Sequence, residues 1–545
     1  MRKVSFLLFL SFSFFIAFSQ TKPAAGVKRP KLVVGIVVDQ MRWDYLYRYY
    51  DRYGSDGFKR LLGEGFSCEN TFINYLPSYT AVGHTCIFTG SVPAIDGITG
   101  NEWIDQLTGK ESYCTEDTTV QTVGADNNAG KMSPRNLLVS TITDELRIAT
   151  NYDSKVVGVS LKDRAAILPA GHTANAAFWL DDSSGHFITS SYYMQQLPDW
   201  VNKYNNSNAI EHLIENGWNT LYPIGTYTNS ESDEQSYEGK FPGETIARFP
   251  HNISDYYQRK RSIFRPTPFG NTLTLDFAQH AVEGYQLGNG SATDFLTINC
   301  ASTDYVGHMY GPNSVEIEDT YLRLDRDLAK FFHFLDAKIG KGKYMIFLTA
   351  DHGAAHAIGY MKKNNLPADA WNGKVPVENL NKMLEDKFGA ENLAKAGDNY
   401  QVNFDLGRIY KQHLDFDAIK KTATDYLQRL PGVAYAVDVA KIGEAPVPEP
   451  IKTMIINGYN FKRSGAVQIV LNPGWFETYG TTGTTHGTWN PYDTHIPLLF
   501  YGWNIKPGKT NREVHMTDIA ATIAAILHIQ MPNGCVGKVI EEVTR

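Results

Sequence analysis

The stretch Lys31-Leu-Val-Val-Gly-Ile-Val-Val-Asp39 decides how this chain is read. From Leu32 to Val38 no polar side chain interrupts a mostly β-branched run, and Asp39 ends it. A strand with one wet face alternates polar and apolar residues, so a run without alternation predicts a strand covered on both faces, as in a parallel sheet. Comparable runs recur at 155–160, 294–299, 344–349 and 496–502. Helical patterns lie between several of them. One spans 315–337, with Ile317, Tyr321, Leu324, Leu328, Phe331 and Phe332 at helix spacing; another spans 517–527. This alternation predicts an α/β fold, a doubly wound, mostly parallel central sheet flanked by helices. Two stretches break the pattern: 170–290, rich in Tyr, Asn, Ser and Gly, and 358–480, with helix and strand signals of its own. Both read as inserted cap segments of one catalytic domain over 31–545.

Upstream, Arg2 and Lys3 precede a nearly all-apolar stretch from Phe6 to Phe18, and Ala17-Phe18-Ser19 puts small residues before Gln20. This predicts a cleaved signal peptide over 1–19 and a polar leader linker over 20–30. The apolar stretch is shorter than the ~20 residues a spanning helix needs. The mature chain is therefore expected without a membrane anchor, periplasmic or secreted. A net charge of −7 and the absence of a basic run argue against nucleic acid as a specific partner. The five cysteines, Cys68, Cys86, Cys114, Cys300 and Cys535, show no C-x-x-C spacing, which disfavours a thiolate zinc cluster. An oxidising compartment permits a disulfide between Cys68 and Cys86, or between either and Cys114.

Open α/β sheets bind ligands beyond the carboxyl ends of their strands. Asp39 follows the first run, Lys162 and Arg164 the second, Asp304 and His308 the third, and Asp351 and His352 the fourth; His486 lies in a Gly/Thr-rich segment before the last. Asp304 and His308 are spaced to share one helical face. Asp351 and His352 can share an ion only where a strand end breaks into a loop, and Gly353 supplies that break. Taken singly, each has an ordinary structural use: a helix cap for Asp39, a hydrogen-bonded pair for Asp304 and His308, a core or surface position for His486, as for His84, His356 and His495. Taken together, these oxygen and imidazole donors suit zinc, with manganese or iron as alternatives. They are too many for one tetrahedral ion and divide between two, an arrangement suited to in-line displacement at phosphorus.

The segment Asn74-Tyr-Leu-Pro-Ser-Tyr-Thr-Ala-Val-Gly-His84 leads through Pro77 into a helix expected to begin near Thr80. A helix N-terminus favours an anion, and metal coordination activates a hydroxyl. Ser78 and Thr85 are rival hydroxyls, and a helix cap is the plainer use for Thr80.

Six segments carry a family resemblance: Val37-Val-Asp39-Gln-Met-Arg42, Pro77-Ser-Tyr-Thr80-Ala-Val-Gly-His84, Thr99-Gly-Asn101-Glu-Trp103, Ser302-Thr-Asp304-Tyr-Val-Gly-His308, Thr349-Ala-Asp351-His352-Gly353 and Gly483-Thr-Thr-His486-Gly487. In order and spacing they resemble the alkaline phosphatase superfamily, most nearly its phosphate-irrepressible, PafA-type members. The resemblance implies a monomeric monoesterase with two zinc ions per chain and a threonyl-phosphate intermediate. It implies that Asp304, His308 and His486 hold one zinc, on the leaving-group and water side. Asp39, Asp351 and His352 would hold the second, which also binds Thr80. Asn101 would donate to a phosphoryl oxygen, with Lys162 and Arg164 as the cationic pair on the others. Two cations and an amide suit the dianion of a small-molecule phosphate monoester. A diester needs room and apolar surface for a second ester group, so a phosphodiesterase or nucleotide pyrophosphatase on the same metal core is the alternative. A sulfatase is disfavoured because Thr80 stands where a cysteine would, and Cys86 lacks a C-x-P-x-R context. The signal peptide disfavours a cofactor-independent-type phosphoglycerate mutase. A non-catalytic secreted protein would leave the same Asp and His side chains scattered.

Overall fold

The structure, a computed structural model, describes residues 27–397, 399–478, 480 and 482–544. The expected signal peptide over 1–19, and the leader linker as far as residue 26, lie outside the described residues.

Ten strands form the main sheet: β1 (Leu32–Val38), β2 (Phe66–Cys68), β3 (Thr122–Val123), β4 (Val156–Val159), β5 (Ala176–Asp181), β6 (His186–Ser190), β7 (Asp294–Cys300), β8 (Tyr344–Thr349), β9 (Leu498–Gly502) and β10 (Gly508–Thr510). Their spatial order is β10-β2-β9-β8-β1-β7-β4-β5-β6-β3. The centre, β8-β1-β7-β4-β5, is parallel, with Leu32 opposite both Asp294 and Tyr344. Antiparallel β9 and β6 flank it. β1, β7 and β8 are buried at every position, as the unalternating runs require. Each large apolar side chain so buried contributes roughly 1.5–3 kcal/mol.

The helices that bear on the site are α1 (Thr80–Thr89), α2 (Asp163–Ala170), α3 (Phe269–Gly284), α4 (Ser302–Tyr310), α5 (Val315–Leu335) and α6 (Asp518–Leu527). The Ser314 hydroxyl accepts from the Ile317 N–H and caps α5, which ends at Leu335, two residues short of the sequence pattern, in a wider turn over Asp336–Gly340. α2 packs on β4 and β7, and α3 on the same two strands.

Two expectations change. The stretch 170–290 is not wholly an insertion: β5 and β6 belong to the main sheet, and α3 packs on that sheet. The small alanines that open β5 gave it a weak apolar signal. What remains outside the alternation is 191–268. The stretch 358–480 builds a second sheet in the order Ala394–Gly397, Gln401–Phe404, Val467–Leu471, Val433–Asp438. Helices Lys374–Phe388 and Phe416–Leu427 close a separate core over it, around Leu380, Val402, Ile419 and Val467. All five cysteines are free thiols, so none of the permitted disulfides is formed. Cys68 and Cys86 pack into the main core, and Cys114 into a different apolar cluster. Among the described residues no helix is long and apolar enough to cross a membrane.

Candidate metal centre and nucleophile

The parallel strands end together, and the polar residues after them meet. Asp39 follows β1, and Asp351 and His352 follow β8 in a loop. Their ligating atoms, one from each side chain, all lie within 4.8 Å of one another. Asp304 and His308 project from one face of α4, and with His486 they form a second group within the same limit. Each imidazole is oriented by a backbone carbonyl at Nδ1: Thr484 O at 2.9 Å for His308, Ser78 O at 2.7 Å for His486, and Gly353 O at 2.9 Å for His352. Nδ1–H donation leaves the Nε2 lone pair facing the site, the arrangement metal-binding imidazoles adopt.

The electrostatics indicate missing positive charge. Asp39, Asp304 and Asp351 are buried, and Lys162 Nζ reaches two of them, 2.8 Å from Asp39 Oδ2 and 2.6 Å from Asp304 Oδ2. Asp39 Oδ1 is buried without a hydrogen-bond partner. Asp351 Oδ2 makes no aligned hydrogen bond either: His84 Nδ1 lies 3.2 Å away but is directed at the Thr80 carbonyl. Burial, together with the nearby Asp351 carboxylate, pushes Asp39 well above the ordinary carboxylate range. Burial acts the same way on Asp304, but His308 and Lys162 outweigh it and hold that carboxyl well below its usual value. Burial keeps His352 and His486 below the ordinary imidazole value, His486 also through the neighbouring rings of His352 and His308. Orphaned buried carboxylate oxygens beside imidazoles that disfavour a proton are the donor chemistry of a divalent cation.

Thr80 opens α1 after an extended Tyr79, and its Oγ1 lies 3.4 Å from His352 Nε2. Asn101 is tied to the same helix start, its Oδ1 accepting from the Ala81 N–H at 3.0 Å. Arg164, at the start of α2, donates to the Tyr113 hydroxyl at 3.2 Å, while its buried Nε has no partner. α1 approaches closely because residue 83 is glycine: a Cβ there would run into the Asp351 backbone.

Two contributors escaped the sequence reading. Gln40 donates from Nε2 to Asp304 Oδ1 at 2.7 Å and from its backbone N–H to Asp351 Oδ1 at 3.2 Å, touching a ligand candidate from each group. It adopts a left-handed backbone, φ 62°, that no local pattern announces. His84, which had an ordinary structural use, packs one helical turn after Thr80 against Asp351. Its four-residue spacing from Thr80 was the available signal.

A mostly parallel sheet flanked by helices, with two carboxylate–imidazole groups at the carboxyl ends of its strands, is the architecture of the alkaline phosphatase superfamily. Within it, the chain belongs to the type I phosphodiesterase / nucleotide pyrophosphatase family, whose model matches residues 33–494. The chain is 54% identical over 520 residues, 95% of each protein, to alkaline phosphatase PafA of Elizabethkingia meningoseptica. It is 53% identical to alkaline phosphatase PhoV of Synechococcus elongatus, over 95% of this chain and 94% of that one. The crystal structure of wild-type PafA matches the fold with a TM-score of 0.93, over 95% of this chain and 100% of that one.

Proposed function

We propose that the protein is an alkaline phosphatase that hydrolyses small-molecule phosphate monoesters to alcohol and inorganic phosphate, with Thr80 as its covalent nucleophile. The observation that carries this reading is a threonine hydroxyl at the start of a buried helix, beside two carboxylate–imidazole groups and two cationic side chains. The donor sets fit divalent cations, and zinc suits their mixture of oxygen and nitrogen. Asp304, His308 and His486 would hold one ion, and Asp39, Asp351, His352 and the Thr80 hydroxyl the second. Bound there, the two cations would acidify the hydroxyl and take up charge on the departing oxygen.

Lys162, Arg164 and the Asn101 amide hold the non-bridging phosphoryl oxygens, and the positive end of the α1 dipole adds to that field. The Thr80 hydroxyl gives up its proton to solvent, and Oγ attacks phosphorus in line. The bond from phosphorus to the alcohol oxygen breaks, and that oxygen takes a proton from solvent. Water then attacks the threonyl-phosphate, which restores the hydroxyl and releases phosphate. A chain that begins with a cleavable signal peptide does this outside the cytoplasm, in the periplasm or the medium, as a monomer.

A phosphodiesterase reading has the family description in its favour. Against it stand Lys162 and Arg164, whose two charges match a dianion better than a diester monoanion. Initial rates on a monoester and on its methyl diester decide between them, a faster diester favouring the second reading. The nucleophile is tested with Thr80→Ala. The expected variant binds two metal ions by elemental analysis and loses ~10³-fold or more in turnover. Retention of most of the rate would remove Thr80 from the role.

A further inference from the structure

Two cavities flank the site, and their linings differ in charge: one mixes cations with carboxylates, the other carries carboxylates alone. One, of about 320 Å3, is lined by Lys162 and Arg164, the cations assigned above to the phosphoryl oxygens, and by Arg265, Asp163, Asp181 and Asp182. The other, of about 330 Å3, is lined by Asn101 and shares no lining residue with the first. Tyr79 lines it, and the Tyr79 ring meets the His486 imidazole edge-on, centroids 5.5 Å apart. Thr485, next to His486, lines it as well. The second cavity therefore lies between the amide assigned above to a phosphoryl oxygen and the Asp304–His308–His486 group. On the monoesterase reading, on which this inference rests, that is where the alcohol part of the substrate must lie.

The chemistry of the lining selects what fits. Carboxylates come from Glu102 and Glu477, aromatic rings from Tyr79 and Tyr400, and no basic side chain lines this cavity among the described residues. Asn399, buried, also lines it; its amide NH2 donates to the Glu102 carbonyl at 3.0 Å, and its Oδ1 has no hydrogen-bond partner. Carboxylates and aromatic rings without a basic side chain favour a cation and disfavour an anion. We propose that this cavity receives the alcohol moiety and that Glu102 and Glu477 make the enzyme prefer phosphate esters of amino alcohols over esters whose alcohol carries a carboxylate.

The test compares kcat/KM on three esters: phosphocholine, its neutral carbon analogue 3,3-dimethylbutyl phosphate, and phosphoglycolate. Dividing by the neutral ester within each protein cancels both the fraction folded and most of the intrinsic reactivity. Replacing both acids (Glu102→Gln with Glu477→Gln) is expected to lower the phosphocholine ratio about fivefold and to raise the phosphoglycolate ratio. In the unmodified enzyme, raising ionic strength is expected to lower the phosphocholine ratio, since screening weakens a preference that rests on charge. Ratios that stay within twofold in the double variant, or a phosphocholine ratio indifferent to salt, would overturn the assignment of the cavity. Failure of the unmodified, metal-loaded enzyme to turn over any of the three esters would instead sink the monoesterase reading itself.

Discussion

The imidazole of His352 lies face to face with that of His486, ring centroids 3.4 Å apart and planes 12° from parallel. Each ring belongs to a different ligand group, so the two groups share a wall. Two imidazolium cations would repel strongly at that separation in a buried site. Burial keeps both rings from protonating readily, which leaves their lone pairs for cations.

Chelation is accordingly expected to remove activity and stability together. Metal ions bound only by the folded chain stabilise it by about 4 kcal/mol when free metal stands a thousandfold above its dissociation constant. Calorimetry of the chelated and zinc-restored protein measures this. A chelated protein that melts at the same temperature as the zinc-loaded one would count against a metal centre here.

Lys162 Nζ contacts one carboxylate from each group, so its loss acts on charge as well as on substrate. For Lys162→Ala, kcat/KM on a monoester is expected to fall ~10²-fold or more. The loss on a diester should be smaller, because a diester carries less charge to stabilise. Equal losses on both substrates would mean that the ammonium organises the carboxylates and does not sort substrates.

Gln40 hydrogen-bonds Asp304 through its side chain and Asp351 through its backbone. Gln40→Leu removes only the first contact and keeps the bulk. Zinc affinity is expected to fall ~10–100-fold, as for other groups that orient metal ligands. Competition against a chromophoric chelator reads the affinity directly, and an unchanged value would reduce Gln40 to a packing residue.

Stability is expected to decline toward alkaline pH through a cluster away from the metal groups. Burial disfavours a charged His251, but hydrogen bonds to Glu244 at 2.8 Å and Glu316 at 3.2 Å outweigh it and push the imidazole up to about 9. The folded state therefore holds this proton more tightly than the unfolded chain does. That contribution is complete below about 6.5, shrinks above it, and is lost as pH rises through about 9, a change on the order of 3 kcal/mol at most. Glu238, pushed up to about 9 by burial and by Glu316, acts in the same direction. Urea unfolding between pH 7 and 10 should show the decline, and His251→Gln should flatten it. Parallel curves for the two proteins would exclude His251 as its source.

Legibility in the sequence followed locality. Asp39, Asp351 and His352 could be named because an unalternating apolar run shows where a buried strand stops. Asp304 and His308 could be paired because a four-residue spacing has one meaning on a helix. Thr80 stood out only through the motif resemblance, since a threonine at a helix start has a plainer use as a cap. β5 and β6 were mistaken for insertion because alanines and a short, mixed strand carry little apolar signal. The cysteine spacings allowed disulfides, yet all five thiols are free; Cys114 packs in a different cluster from Cys68 and Cys86.

The order of residues thus determined the strand ends, the helix spacing and the kinds of donor atom available, all of which are properties of neighbours along the chain. Folding decided which donors meet. Gln40 reaches Asp304 across 264 residues, His352 stacks on His486, and α1 comes within reach of Asp351 only because residue 83 lacks a side chain. Those contacts depend on how strands and helices are laid side by side, and no local pattern of amino acids encodes that placement.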